Sequence, residues 1–187
     1  MHALAGLLVL ASTLQADTVV RLGSIERDLT GDGRPEIMQV IGKGRAIDSL
    51  DVTFSIESAG RVVFQMQLAP LSRNAGIDSG RRSLYVAELR TRLNEFGPWF
   101  FDFRKFLRPD EFVDGLRRSG PGHAARIPDV IARDGGFPND LPRAHAVWEE
   151  IQKNSVTVFQ FSPGGDSVTA IAWSTRDRRF YRLLECC

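Results

Sequence analysis

Residues 51–68, DVTFSIESAGRVVFQMQL, change polarity at almost every second position. Val52, Phe54 and Ile56 are separated by polar side chains, Ala59-Gly60 interrupts, and Val62, Phe64, Met66 and Leu68 take up the alternation again. Successive side chains of a strand point to opposite faces, so this spacing predicts a hairpin with one face buried. Pro70 ends it, because proline cannot donate to a sheet ladder.

Downstream the period changes. Leu84, Ala87, Leu89, Leu93 and Phe96 recur at helical spacing, and Gly97-Pro98 is expected to break or kink that helix ahead of an aromatic run. A second helix is expected to open at Pro109. Asp110 and Glu111 suit its positive end, and Arg117-Arg118 its negative end. Shorter helices are expected over 124–133 and 142–153, the second with Asp140 close to its start. Three strands then follow, over 156–161, 168–173 and 180–184, joined by polar turns. Upstream of the quoted hairpin, residues 19–27 and 37–41 read as two more strands around a polar loop. Strands, then helices, then strands argue for the α+β class: an antiparallel sheet built from N- and C-terminal strands, with the central helices packed on one face.

The chain has 187 residues, 43% hydrophobic and 25% charged, the composition of an ordinary globular protein. A chain of this size buries roughly 70% of the surface its unfolded form exposes, so one domain can fold on its hydrophobic core alone. Residues 3–14, ALAGLLVLASTL, are too short to cross a bilayer that needs about 20 residues. They match the apolar region of a secretory signal, with small Ala16 offering a cut before Asp17. The expectation is a signal peptide at 1–16 and a single domain at 17–187, secreted or periplasmic, with no transmembrane span after the signal is removed. Two features depart from the usual signal pattern: no positive residue stands near the start, and Leu14 is bulky.

The 24 basic and 23 acidic side chains leave a net charge of +1. Nucleic-acid binding draws on many neutralised phosphates and therefore on a basic stripe. Here Arg81-Arg82, Arg104-Lys105 and Arg117-Arg118 are interspersed with Asp78, Glu88, Asp102, Glu111 and Asp114, the pattern of solvated helix faces, so nucleic acid is set aside. Cys186 and Cys187 are the two cysteines. Adjacent Cα atoms lie about 3.8 Å apart, below the usual disulfide range of about 4.4–6.8 Å. Two free thiols, or a bridge to another chain, are therefore expected ahead of a ring between neighbours.

One loop carries chemistry in its spacing. In residues 28–36, DLTGDGRPE, oxygen side chains stand at alternate positions and a glycine allows a sharp bend. Calcium takes about six to eight oxygens, which a tight loop can supply from every second residue. Asp28, Thr30 and Asp32 would offer side-chain oxygens, Arg34 its carbonyl, and Glu36 would close the site with water. The absence of His and Cys argues against zinc or copper. The alternative is a plain hairpin turn, for which Asp-Gly is a strong signal without any metal.

DLTGDGRPEI resembles the calcium loop of FG-GAP and VCBS-type repeats, in which Asp-x-Asp/Asn-x-Asp-Gly-x-x-Asp lies between two strands. The resemblance covers about ten residues and implies calcium as the ligand. Thr30 and Glu36 depart from it, standing where Asp or Asn and Asp are usual. The EF-hand fits less well, since its closing position would fall on Gln39.

Other constellations are weaker. Ser24, Ser79 and Ser119 each have a nearby glycine, but none has the paired spacing of a nucleophile elbow. His145 and Glu149, four apart, share a helix face that could serve a metal or an acid/base pair, and read first as surface. His123 reads as loop. In the aromatic run over 96–106, Trp99 and Phe101 could form a platform for sugar, peptide or lipid, although burial against the sheet is the stronger reading. Arg45, Asp48 and Asp51 read as a solvated connection. The chain is therefore expected to be a non-catalytic binding or structural domain with a protein or small-molecule ligand. The alternative is an extracytoplasmic hydrolase with a site assembled from dispersed acidic residues and His145.

Overall fold

The computed structural model describes residues 18–46, 49–69, 82–120 and 122–186. The segment expected to be a signal peptide, together with Asp48, Pro70, Asp78, Ser79, Arg81 and Cys187, lies outside them. The fold is α+β, and every strand pairing is antiparallel.

Four strands form a meander: β1 (Thr18–Arg27), β2 (Glu36–Gly44), β3 (Asp51–Ser58) and β4 (Arg61–Leu68), in that order across the sheet. The register sets Phe54 opposite Met66 and Ile56 opposite Phe64. Val52, Phe54 and Ile56 are fully buried, as their alternation requires. Positive φ at Ala59 and Gly60 makes the tight reversal between β3 and β4.

Helix α1 (Arg82–Phe100) does not break at Gly97-Pro98. Proline interrupts a helix by removing the bond to the carbonyl four residues back. Pro98 gives up the bond to the Asn94 carbonyl, and the helix nonetheless continues to Phe100. Gly97 meanwhile serves packing: a Cβ there would lie 2.6 Å from the Leu22 carbonyl, and one on Gly23 would lie 2.6 Å from the Gly97 Cα. The two backbones therefore touch, at the point where the β1 register shifts between Arg21 and Gly23.

A 3-10 turn, Phe103–Lys105, leads into β5 (Phe106–Leu107), a two-residue strand with no signal in the sequence pattern. Then come α2 (Pro109–Ser119), α3 (Ile127–Asp134) and α4 (Leu141–Lys153). Glu111 accepts from the Arg108 N–H at 2.8 Å, and Asp140 accepts from the Arg143 N–H at 3.1 Å, so carboxylates cap α2 and α4. β6 (Val158–Gly164), β7 (Ser167–Ser174) and β8 (Arg179–Cys186) complete a second sheet in the order β5-β6-β7-β8.

The strands from the two ends of the chain thus form two four-stranded sheets where a single one was expected. The reason lies in the aromatic side chains. Phe54 of β3 meets Phe159 and Phe161 of β6 at ring distances of 5.7 and 5.1 Å, so the sheets stack face to face across this layer. The first core fills that space and includes Phe96, Phe100 and Phe101 from the α1 region. The other face of the second sheet, with Val158, Ala170, Ala172 and Tyr181, packs on α2, α3 and α4 to make a second core. The expected one-sided helix layer is therefore present on the second sheet.

Candidate functional site

The β1–β2 loop is ordered by its own carboxylates. Asp28 Oδ1 accepts from the Gly31 N–H at 2.7 Å and Oδ2 from the Gly33 N–H at 2.9 Å, while Asp32 Oδ1 accepts from the Arg34 N–H at 2.9 Å. Gly31 and Gly33 both have positive φ, a conformation that glycine adopts without steric cost. Glu36 sits at the base of the loop with 1% of its surface exposed. Its Oε2 accepts from the Leu29 and Thr30 N–H groups at 2.7 and 3.3 Å, and its Oε1 from the Thr30 and Ser58 hydroxyls, each at 3.2 Å.

A carboxylate offers about four acceptor positions. All four on Glu36 are taken by protein donors, from the Leu29 and Thr30 N–H groups and the Thr30 and Ser58 hydroxyls. Each oxygen of Asp28 accepts one backbone N–H, and Asp32 lies exposed at the tip. Among the described residues, no three His, Cys, Asp or Glu side chains converge as a metal cluster.

The remaining polar groups tie helices to the β7–β8 hairpin. Glu150 of α4 accepts from the Ser174 hydroxyl at 2.7 Å, from the Thr175 N–H at 2.9 Å and from the Thr175 hydroxyl. Burial pushes its pKa up, but the hydrogen bonds from Thr175 and Ser174 outweigh this and hold it below the ordinary value. Asp177 accepts from the Tyr181 hydroxyl and from Arg143 at 3.3 Å. The Tyr181 bond is the main cause of its lowered pKa. Burial, then the bond to Asp177, pushes the Tyr181 phenol up to about 12. Asp134, at the end of α3, accepts from the Arg182 N–H at 3.1 Å and from its guanidinium.

His145 and Glu149 lie exposed on α4. Ser119 Oγ lies 3.2 Å from His123 Nδ1, but it also donates to the Leu116 carbonyl at 2.8 Å, as a residue closing α2 does. His123 lines a cavity of about 330 Å³ with Arg133, Glu185 and Cys186. Cys186 is disulfide-bonded, and no free cysteine occurs among the described residues, so the expectation of free thiols is not met there.

The aromatic run divides. Phe96, Phe100 and Phe101 are buried, whereas Trp99 is 51% and Phe103 75% exposed. The Lys105 ammonium covers the Trp99 ring at 3.9 Å and donates to the Trp99 carbonyl at 2.7 Å. Hydrogen bonds from the Arg104 side chain and backbone hold the Asp102 carboxyl at about 2. Trp99 and Phe101 therefore form no common platform. Arg45 and Asp51 are exposed, with Leu50 between β2 and β3 buried.

Comparison with family models, with curated proteins and with solved structures returns no match. Among the described residues, no helix is long and apolar enough to cross a membrane.

Proposed function

We propose that this chain is an exported, non-catalytic domain with a binding or structural role, and that calcium stiffens the outer part of its first hairpin loop. The observation that carries the non-catalytic reading is the use made of its carboxylates. Glu36, Glu150, Asp134 and Asp177 are each engaged by several donors that join one element to another. A general acid needs its pKa raised toward neutrality. Glu150 and Asp177 are shifted the other way, into the ionised form that suits a structural acceptor.

Calcium in this reading takes its oxygens from Asp28, Thr30, Asp32 and the Arg34 carbonyl, together with water, and leaves Glu36 in its internal role. Four protein oxygens and one exposed side make this a weak, water-completed site rather than a closed cage. Calorimetric titration of residues 17–187 with calcium is expected to give saturable heat and a raised melting temperature, both lost in Asp32→Ala, because a ligand of the folded state stabilises it. Absence of heat and of any thermal shift at millimolar calcium would remove the metal from the proposal. Export is tested separately by expressing the full chain and sequencing the accumulated protein. The expected product starts at Asp17 outside the cytoplasm, and an uncleaved cytoplasmic product would refute export.

A further inference from the structure

β4 and β8 are the outer strands of their sheets, and among the described residues each pairs along one side, with β3 and β7 respectively. Between the two edges runs a cleft of about 620 Å³. Its floor is apolar, where the Phe64 and Phe180 rings meet edge-on at 5.9 Å with Met66 alongside.

An edge strand presents a row of unpaired backbone N–H and C=O groups, and proteins guard such edges with proline, lysine or inward-pointing charge. From Val62 to Leu68, β4 carries no proline and no charged residue. The register shift opposite Ile56 and Glu57 makes β4 bulge at Val63, and from Phe64 to Leu68 the strand runs in unbroken register; that part of the edge retains the capacity to pair with another extended chain, which would set alternate side chains toward the Phe64–Phe180 floor.

The charged wall defines the partner. Among the described residues, Asp134 is the one carboxylate lining the cleft, against the guanidinium groups of Arg179 and Arg182. Arg182 holds Asp134 closely and reaches Glu185 at 3.3 Å, while Arg179 is 44% exposed and lies 3.6 Å from the same Asp134. Arg182 is matched by Asp134 and Glu185 together, which leaves Arg179, half-exposed and holding only a share of Asp134 at the longer distance, as the least neutralised cation of the lining. A carboxylate brought in by a partner would complete the set.

We propose that the cleft between β4 and β8 receives an extended, acidic segment of a partner protein, which adds a strand along β4, buries alternate apolar side chains over Phe64 and Phe180, and places a carboxylate against Arg179. The interaction is independent of calcium in the β1–β2 loop.

The test is fluorescence anisotropy on residues 17–187 with a labelled, end-blocked nine-residue peptide of alternating valine and glutamate. Saturable binding is expected, at least tenfold weaker for the lysine-for-glutamate peptide and for Arg179→Gln. Gln65→Glu, an exposed change on the cleft wall, is expected to weaken binding similarly without endangering the fold. Two further peptides, N-methylated on odd or on even residues, read the backbone pairing, and at least one should lose binding. Chelation of calcium should change nothing. Absence of binding at millimolar peptide overturns the proposal. So does equal binding by the lysine peptide, by both N-methylated peptides, or by both variants with unchanged melting temperatures.

Discussion

Glu36 shows how a residue chosen from the sequence for one role can fill another. Its spacing from Asp28 and Asp32 singled it out as the closing ligand of a metal loop, and that spacing is what brings it under the loop. The sequence did not disclose that Ser58, 22 residues later, would donate to the same carboxylate. That contact depends on the pairing of β2 with β3, a long-range event invisible to local spacing. Glu36→Gln replaces one acceptor oxygen with a donor that faces N–H and O–H donors. Hydrogen bonds to a charged group contribute about 1.5–3 kcal/mol each, so the variant is expected to lose roughly 2–3 kcal/mol of stability in urea unfolding. The loss should be the same with calcium and with chelator. A loss seen only in the presence of calcium would restore Glu36 as a ligand.

At the scale of elements, strands and helices were legible where period and caps agreed. The hairpin over 51–68 and the helices opening at Pro109 and near Asp140 formed within a few residues of their expected bounds. Gly97-Pro98 misled because a glycine that permits backbone contact with β1 looks the same in sequence as one that ends a helix. β5 was illegible because two residues carry no period. Its pairing with β6, Phe106 opposite Phe159, is set by tertiary packing.

The joint between α4 and the β7–β8 hairpin has a pH dependence that follows from its chemistry. The Tyr181 phenol, pushed up to about 12, stays protonated in the fold after an unfolded tyrosine, near 10, has ionised. Its contribution is fully present below about pH 10 and is lost as pH rises toward about 12, because the unfolded state releases its proton first. Asp177 works in the opposite direction: its lowered pKa stabilises the fold above about pH 4, and this is lost as pH falls through the folded value. Melting temperatures measured from pH 8 to 11.5 are expected to fall more steeply for the parent than for Tyr181→Phe, with a divergence of a few degrees. Parallel curves would mean that Tyr181 does not control the alkaline limb.

Over the whole molecule, the sequence order gave the α+β class, but it could not tell one sheet from two. Alternation specifies which side chains are inward and not which surface they will meet. Two stacked sheets and a helix layer put β6, β7 and β8 between the cores. Ile171 faces the first core while Ala170 and Ala172 face the second, and Phe180 and Tyr181 divide in the same way. Neither core can be lost while the other keeps its wall. The chain should therefore unfold in one cooperative step, although its apolar residues fall into two clusters. Phe54→Ala empties the centre of the first core, where that ring meets Phe64, Phe100, Phe101, Phe159 and Phe161. Ile131→Ala does the same to the second, where Ile131 is fully buried. Losses of about 3–5 and 2–5 kcal/mol are expected from such truncations. Each variant should shift a single calorimetric transition, with far- and near-ultraviolet dichroism superimposed, and neither should split it. A variant that melts in two separated steps would show that the middle sheet does not couple the layers, and that α2, α3 and α4 can leave while the first sheet remains folded.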